Sequence, residues 1–316
     1  RVAVDIDRLE ACAVLPKQRD AIAFTCALQN VSLNDPSAKL SEEALFQLRN
    51  PLQEPLAIDE AAIQHGISTY FALEHSAVAA YERIRKSGAQ CFGDAAADVP
   101  SYARIERLIA EYTGVESIEH DMCPSTCIAY TGPFANLNCC LLCNREHYNP
   151  VKLHTSGGQN RVPCQKFITI PLAAQLQALW RDPEHAQKMS YLPDTTTQLL
   201  EELRTNHGEF AKTDDFIMGS DYIHAVLQND INPKNDIVLM ILMDGVQLYE
   251  SKQSDCWIYI WVVLNHAPGD RYKKKYILPG GFIPGPNKPK NVDLFLLPGM
   301  HHLSALQKEG LHIWDA

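Results

Sequence analysis

Five of the chain's ten cysteines lie between Cys123 and Cys143. They include two close pairs, Cys123-Pro-Ser-Thr-Cys127 and Cys140-Leu-Leu-Cys143, twelve residues apart. The spacing suits zinc. A short spacer lets two thiolates from one turn take two corners of a tetrahedron, and the second pair supplies the other two. Cys139 competes with Cys140 for the third place, and His120, His147 and Cys164 are substitutes by ligand type. The bland alternative is a set of small buried hydrophobes. A redox site would need a lone Cys-x-x-Cys, and four sulfurs leave zinc no open position, so this metal would serve folding, not catalysis.

Asp244 is the second feature. It follows the apolar run Ile237–Met243 and precedes Gly245. A carboxylate on so apolar a segment is costly to desolvate without a cation or hydrogen bonds. Phosphoryl-transfer enzymes use such acids to hold divalent ions. The competing reading is an ordinary Asp-Gly turn.

The third feature is charge. Between Arg271 and Lys290 there is no acid, while Arg271, Lys273, Lys274, Lys275, Lys288 and Lys290 are basic. These residues form a candidate contact for a DNA backbone, or a solvated edge strand guarded by lysines. The adjoining Gly-rich segment lacks the Gly-Lys-Ser/Thr ending of a P-loop, which excludes ATP or GTP there.

The elements that must position these residues divide the 316-residue chain into a helical front and a strand-rich end. Ser41 caps a helix; apolar residues recur at helical spacing from Ile58 to Lys86, with Gly88 as a stop; Ser101 opens a helix ended by Gly114. A polar connector, 155–158, leads to a helix with Pro171 in its first turn, then to helices over 196–205 and from Ser220 to about Gln228. Asp236–Met243 and Cys256–Leu264 read as strands, and Lys274–Leu278 as a third. Pro279–Pro286 is too rich in Pro and Gly for regular structure, and Pro298-Gly299 delays the last helix to about His301.

The apolar fraction of 46% and charged fraction of 21% are those of a globular protein, and no apolar run reaches the roughly 20 residues of a membrane span. The net charge of −10 excludes whole-surface nucleic-acid binding, so any DNA contact is local. Arg1 in place of Met, without a secretory pattern, reads as a cut in a longer chain.

The segments Met243–Tyr249, Ser254–Trp261 and Leu278–Lys290 resemble CACTA-type (En/Spm-like) transposases, and more narrowly the Plavaka group of mushroom-forming fungi. The stretches Asp121–Phe134, His301–Gly310 and Ile313–Ala316 fit the same group, so the likeness spans roughly residues 40–316. It implies a ribonuclease-H-like catalytic domain in which three acids bind Mg2+ or Mn2+ and cut double-stranded DNA at transposon ends. Asp244 matches the first acid, and Cys123, Cys127, Cys140 and Cys143 match the family's Zn2+ ligands, although Cys139 departs from the usual neighbour. The second and third acids are expected beyond Ala316, so the chain is expected to be a fragment, inactive alone. Asp315 does not fit as the second acid, and Asp255 and Asp293 read as strand-start and helix-start residues. The alternative is a degenerate or domesticated zinc-containing module that binds DNA or protein without catalysis.

The resulting expectation is an α+β chain: a helical region over 1–118, a Cys-rich zinc module over 119–165, a helical linker over 166–232, and the start of a ribonuclease-H-like α/β domain over 233–316. A nuclear location, reached from the cytoplasm, and a homo-oligomeric state accompany it; no membrane does.

Overall fold

The computed structural model describes residues 5–53, 56–93, 97–210, 213–247 and 255–314. Asp315 lies outside them, as do Tyr249 and Ser254 of the family-like segments.

The front is helical, as expected. Helices α1 (Ile6–Cys12), α2 (Pro16–Gln29) and α3 (Glu42–Arg49) come first. Ser41 caps α3 by accepting the Ala44 amide at 3.0 Å, with Glu42 and Glu43 in the first turn where the helix dipole favours acids. The helical pattern from Ile58 to Lys86 is two helices, α4 (Ala61–Ala72) and α5 (Val78–Phe92). The periodicity runs through the break because Ile63, Ile67, Tyr70 and Tyr81 all face one small core with Ile105 and Leu108 of α6 (Tyr102–Thr113). Gly88 lies inside α5; the stop is Gly93, at φ 63°. Gly114 ends α6 in the left-handed region, where glycine is favoured.

A five-stranded sheet follows, in the order β1-β2-β5-β4-β3, with every neighbouring pair antiparallel. Its strands are β1 (Ile118–Met122), β2 (Gln165–Thr169), β3 (Leu239–Gln247), β4 (Asp255–Val263) and β5 (Ile277–Pro284). Between β1 and β2 lie the cysteine segment and α7 (Pro150–Thr155); between β2 and β3 lie α8 (Leu172–Trp180), α9 (Pro183–Met189), α10 (Tyr191–Thr205) and α11 (Ser220–Leu227). The sheet therefore crosses the expected divisions at 118, 165 and 232. The five-residue strands β1 and β2 are too short to stand out by pattern.

Other expectations fail in the strand-rich part. The Pro/Gly-rich segment is not irregular: most of it is β5. Pairing slips by one residue between Tyr259 and Ile260, so Tyr259 faces Gly281 and Ile260 faces Pro279. This bulge accommodates Pro279, and Pro284 closes the strand. The glycines make room for Tyr259: a Cβ on Gly280 or Gly281 would lie 2.1 or 2.4 Å from its ring. Lys274–Tyr276, expected as strand, form a 3-10 turn that precedes β5.

The last helix, α12 (Val292–Glu309), runs straight through Pro298. Proline leaves the carbonyl four residues earlier without its helical donor. Here that carbonyl belongs to Leu294, and the Thr131 hydroxyl donates to it at 2.6 Å. Asp293 falls in the first turn of α12 and Asp255 begins β4, as expected.

One face of the sheet is the core. Tyr259, Trp261 and Leu278 pack with Leu172, Leu176 and Leu179 of α8, and Phe167 and Ile283 pack with Leu294 and Phe295 of α12. Strand alternation sends Ile168, Phe282, Ile258, Leu242 and Val246 to the other face, where they are half-buried or exposed.

Candidate metal centre

The cysteine pairs occupy two tight turns. In the first, just after β1, the Cys123 amide donates to the Ile128 carbonyl at 2.9 Å and the Thr126 amide to the Cys123 carbonyl at 2.8 Å. In the second, the Cys140 amide donates to the Arg145 carbonyl and the Asn144 amide to the Cys140 carbonyl, both at 2.8 Å. Thr126 (φ 56°) and Asn144 (φ 57°) hold left-handed conformations that fold each turn back under its sulfurs. Such a conformation is uncommon for threonine, and Thr126 is fully buried. The Ser125 amide lies 3.4 Å from Cys123 Sγ.

The four sulfurs of Cys123, Cys127, Cys140 and Cys143 lie within 4.8 Å of one another, and Cys123 and Cys143 approach to 3.4 Å. A tetrahedral zinc with sulfur ligands at about 2.3 Å spaces its sulfurs by about 3.8 Å, so this group can hold a metal ion such as zinc. Burial pushes the Cys140 thiol up to about 12. At Cys143 burial acts in the same direction, but hydrogen bonds from the Arg145 amide and neighbouring thiols outweigh it and bring the pKa down to about 7. One sulfur is thus poised as thiolate, and a cation would draw the protons from the rest.

The competitors stand elsewhere. Cys139 and Glu146 form an isolated bridge, and the next residue along an extended chain points to the opposite side. That geometry sends Cys140, which is 1% exposed, into the cluster and leaves Cys139 outside it. His147 has both ring nitrogens engaged, Nδ1 2.7 Å from the Leu137 carbonyl and Nε2 3.0 Å from Asp121 Oδ2. Its ring is stacked between Tyr130 and Tyr148. His120 Nε2 lies 2.8 Å from Thr169 Oγ1, and burial drives its pKa down to about 3. Cys164 donates its amide to the His147 carbonyl and stays outside the group.

A segment that sequence reasoning did not connect to the cysteines is laced onto the first turn. The Asn287 amide group donates to the Ser125 carbonyl at 3.3 Å, the Lys290 backbone amide to Thr126 at 3.3 Å, and the Asn291 amide to Cys127 at 3.0 Å. No pairing signal marks such a contact, 162 residues apart in sequence for Ser125 and Asn287.

Asp244 is not a turn residue. It lies within the β3 ladder opposite Ile258, and Gly245 continues the ladder opposite Trp257. A Cβ on Gly245 would stand 3.0 Å from the Trp257 ring, which accounts for the glycine. The carboxylate is exposed, and its Oδ1 accepts the Gly245 amide at 2.7 Å. The desolvation cost anticipated from the apolar run therefore does not arise, because alternation turns Asp244 away from the core. Among the described residues the four cysteines are the one group of three or more side chains arranged to hold an ion, and Asp244 belongs to no such group.

The basic residues separate into two sets at opposite ends of β5, about 23 Å apart at 3.3 Å per residue. Arg271 is not a surface cation at all. It is 3% exposed, and its guanidinium makes a two-pronged pair with Asp215 at 2.8 and 2.9 Å and donates to the His266 carbonyl. Lys273 pairs with Asp270, Lys274 with Glu74 and Lys275 with Glu184. At the far end, Lys288 and Lys290 are exposed and have no carboxylate partner among the described residues; Lys288 lies over the Trp257 ring at 5.1 Å.

No helix among the described residues is long and apolar enough to cross a membrane. No family model matches the chain, and no curated protein or solved structure matches it.

Proposed function

We propose that the chain is the zinc-stabilised front portion of a cut-and-paste DNA transposase of the CACTA type, inactive as a nuclease by itself. The observation that carries this reading is the placement of Asp244: mid-strand, exposed, on the outermost strand β3. Three consecutive antiparallel strands and a long helix, β3-β4-β5-α12, are what the opening of a ribonuclease-H-like domain requires, with the acid on the first strand. The four cysteines hold structural zinc in this reading, having no position left for a substrate.

Asp244 would hold a divalent ion there, and the ion when bound would supply Lewis-acid chemistry at a DNA phosphate. Asp244 contributes one carboxylate to it, and one carboxylate alone holds Mg2+ or Mn2+ weakly. The chain is therefore expected to bind Mn2+ in the millimolar range, read by the loss of the free-ion electron paramagnetic signal, and to leave supercoiled plasmid intact. Asp244→Asn should abolish that binding. Equal Mn2+ binding by the variant would sink the role assigned to Asp244. A second reading, a DNA-binding module without catalysis, is favoured because among the described residues Asp244 belongs to no group of three metal-holding side chains; DNA binding without Asp244-dependent Mn2+ binding would select it.

A further inference from the structure

The segment 287–291 is mounted on the metal centre. Three hydrogen bonds tie it to Ser125, Thr126 and Cys127, and Pro289 is buried between its two lysines. Lys288 and Lys290 project from this strap beside a shallow hollow lined by Ser125, Cys127, Cys143 and Asn287. Arg145, exposed, follows the second turn and supplies the carbonyl that fixes Cys140. None of these three cations has a carboxylate partner among the described residues, whereas Lys273, Lys274, Lys275 and Arg271 all do.

We propose that this strap on the metal-holding turns, with Lys288, Lys290 and Arg145, is the surface that grips a DNA backbone. The inference rests on the DNA-handling reading above and locates where that contact is made. Unpaired cations lose nothing on meeting phosphate, while a lysine already paired must give up its carboxylate. Among the described residues no carboxylate lines the hollow to repel phosphates, and the Asn287 amide and Ser125 hydroxyl are neutral groups of the kind that contact backbone oxygens. The overall charge of −10 makes a small, unpaired basic site the one consistent with DNA binding. Lys290 also donates its backbone amide to the Thr126 carbonyl of the metal-holding turn. Lys288 rests on Trp257 instead and is the cleaner reporter.

The test is fluorescence anisotropy of the full, zinc-loaded chain with a labelled duplex between 50 and 200 mM salt. Three phosphate contacts give a log-log slope near −2.7, so affinity should fall about 40-fold over that range. Lys288→Ala should remove about 0.9 from the slope with zinc content unchanged, and Lys288→Ala with Lys290→Ala should leave about a 3-fold fall. Replacing Lys273, Lys274 and Lys275 by Ala should leave the slope where it was. If that triple variant flattens the slope and the 288/290 variant does not, the strap is not the contact, although DNA binding stands. Competition by polyglutamate as effective as by unlabelled duplex would point to an acidic protein and overturn the proposal. Absence of duplex binding at 50 mM salt would overturn the DNA reading itself.

Discussion

Arg271→Ala tests whether the buried guanidinium holds the fold together. The side chains of Arg271 and Asp215 are 3% and 5% exposed, and two bonds of 2.8 and 2.9 Å join them. Removing one partner of such a pair strands a buried charge and costs about 3–5 kcal/mol. Asp215 would keep the Tyr191 hydroxyl at 3.0 Å and the Phe216 amide at 2.8 Å, which places the cost near the lower end. Unfolding entropy of about 2.1 cal/mol/K per residue gives roughly 0.66 kcal/mol/K for a chain of this length, so 3 kcal/mol lowers Tm by about 4–5 °C. Scanning calorimetry reads the shift. Arg271→Met with Asp215→Asn should recover most of it, since an uncharged pair leaves no stranded ion. An unchanged Tm for Arg271→Ala, together with a DNA salt slope shallower by about 0.9, would refute the argument and return Arg271 to the phosphate-binding set.

Other outcomes follow from single contacts. Cys140→Ser should lose the roughly one zinc per chain that Cys139→Ser retains, as read by elemental analysis of purified protein. Thr131→Val should cost about 1–3 kcal/mol in denaturant unfolding, because the Leu294 carbonyl freed by Pro298 loses its donor. Gly281→Ala forces a methyl to 2.4 Å from the Tyr259 ring and 2.8 Å from the Ile168 carbonyl, for a loss of about 1–3 kcal/mol; wild-type stability would mean the sheet yields there. His302 is buried, accepts the Ala173 amide at 3.1 Å, and has its pKa driven down to about 4 by desolvation. As pH falls the unfolded chain, with a histidine pKa of about 6.5, takes the proton first. The stability from neutral His302 is therefore complete above pH 6.5 and drains toward pH 4 at up to about 1.4 kcal/mol per unit. His302→Gln should flatten the stability–pH curve by that slope in this window.

Much of the site was legible because its signals are local. The two cysteine pairs carry their own turn geometry, and the sequence needed only the structure's alternation to choose Cys140 over Cys139. The caps at Ser41, Gly93 and Gly114 show where that legibility holds and fails. Ser41 and Gly114 act as local rules say, but Gly88 is carried through α5, which ends instead at Gly93. What stayed hidden depends on contacts distant in sequence. Pro298 looks like a break until Thr131 is seen to satisfy the Leu294 carbonyl. The Pro279–Pro284 run looks irregular until the Tyr259 ring is seen to demand its glycines. The basic run looked like one patch because sequence order hides that β5 separates its halves and that Asp215 had already claimed Arg271.

The metal centre and Asp244 are also joined through packing. Cys123, Cys127 and Cys140 belong to the same core as Phe167, Ile283 and Phe295, and Met243 and Trp257 pack against that core. Met243 is the residue before Asp244, and Trp257 lies opposite Gly245, the residue after it. A metal that fixes the two cysteine turns thus braces both flanks of Asp244, although the carboxylate itself faces solvent. Loss of zinc should loosen β3 before it disturbs the separate α4–α6 core of Tyr81, Ile105 and Leu108. Hydrogen exchange on chelator-treated protein would show it as early loss of protection at 243–245 with 102–113 still protected. Simultaneous exchange of both regions would mean that the zinc holds the whole chain and not the sheet in particular.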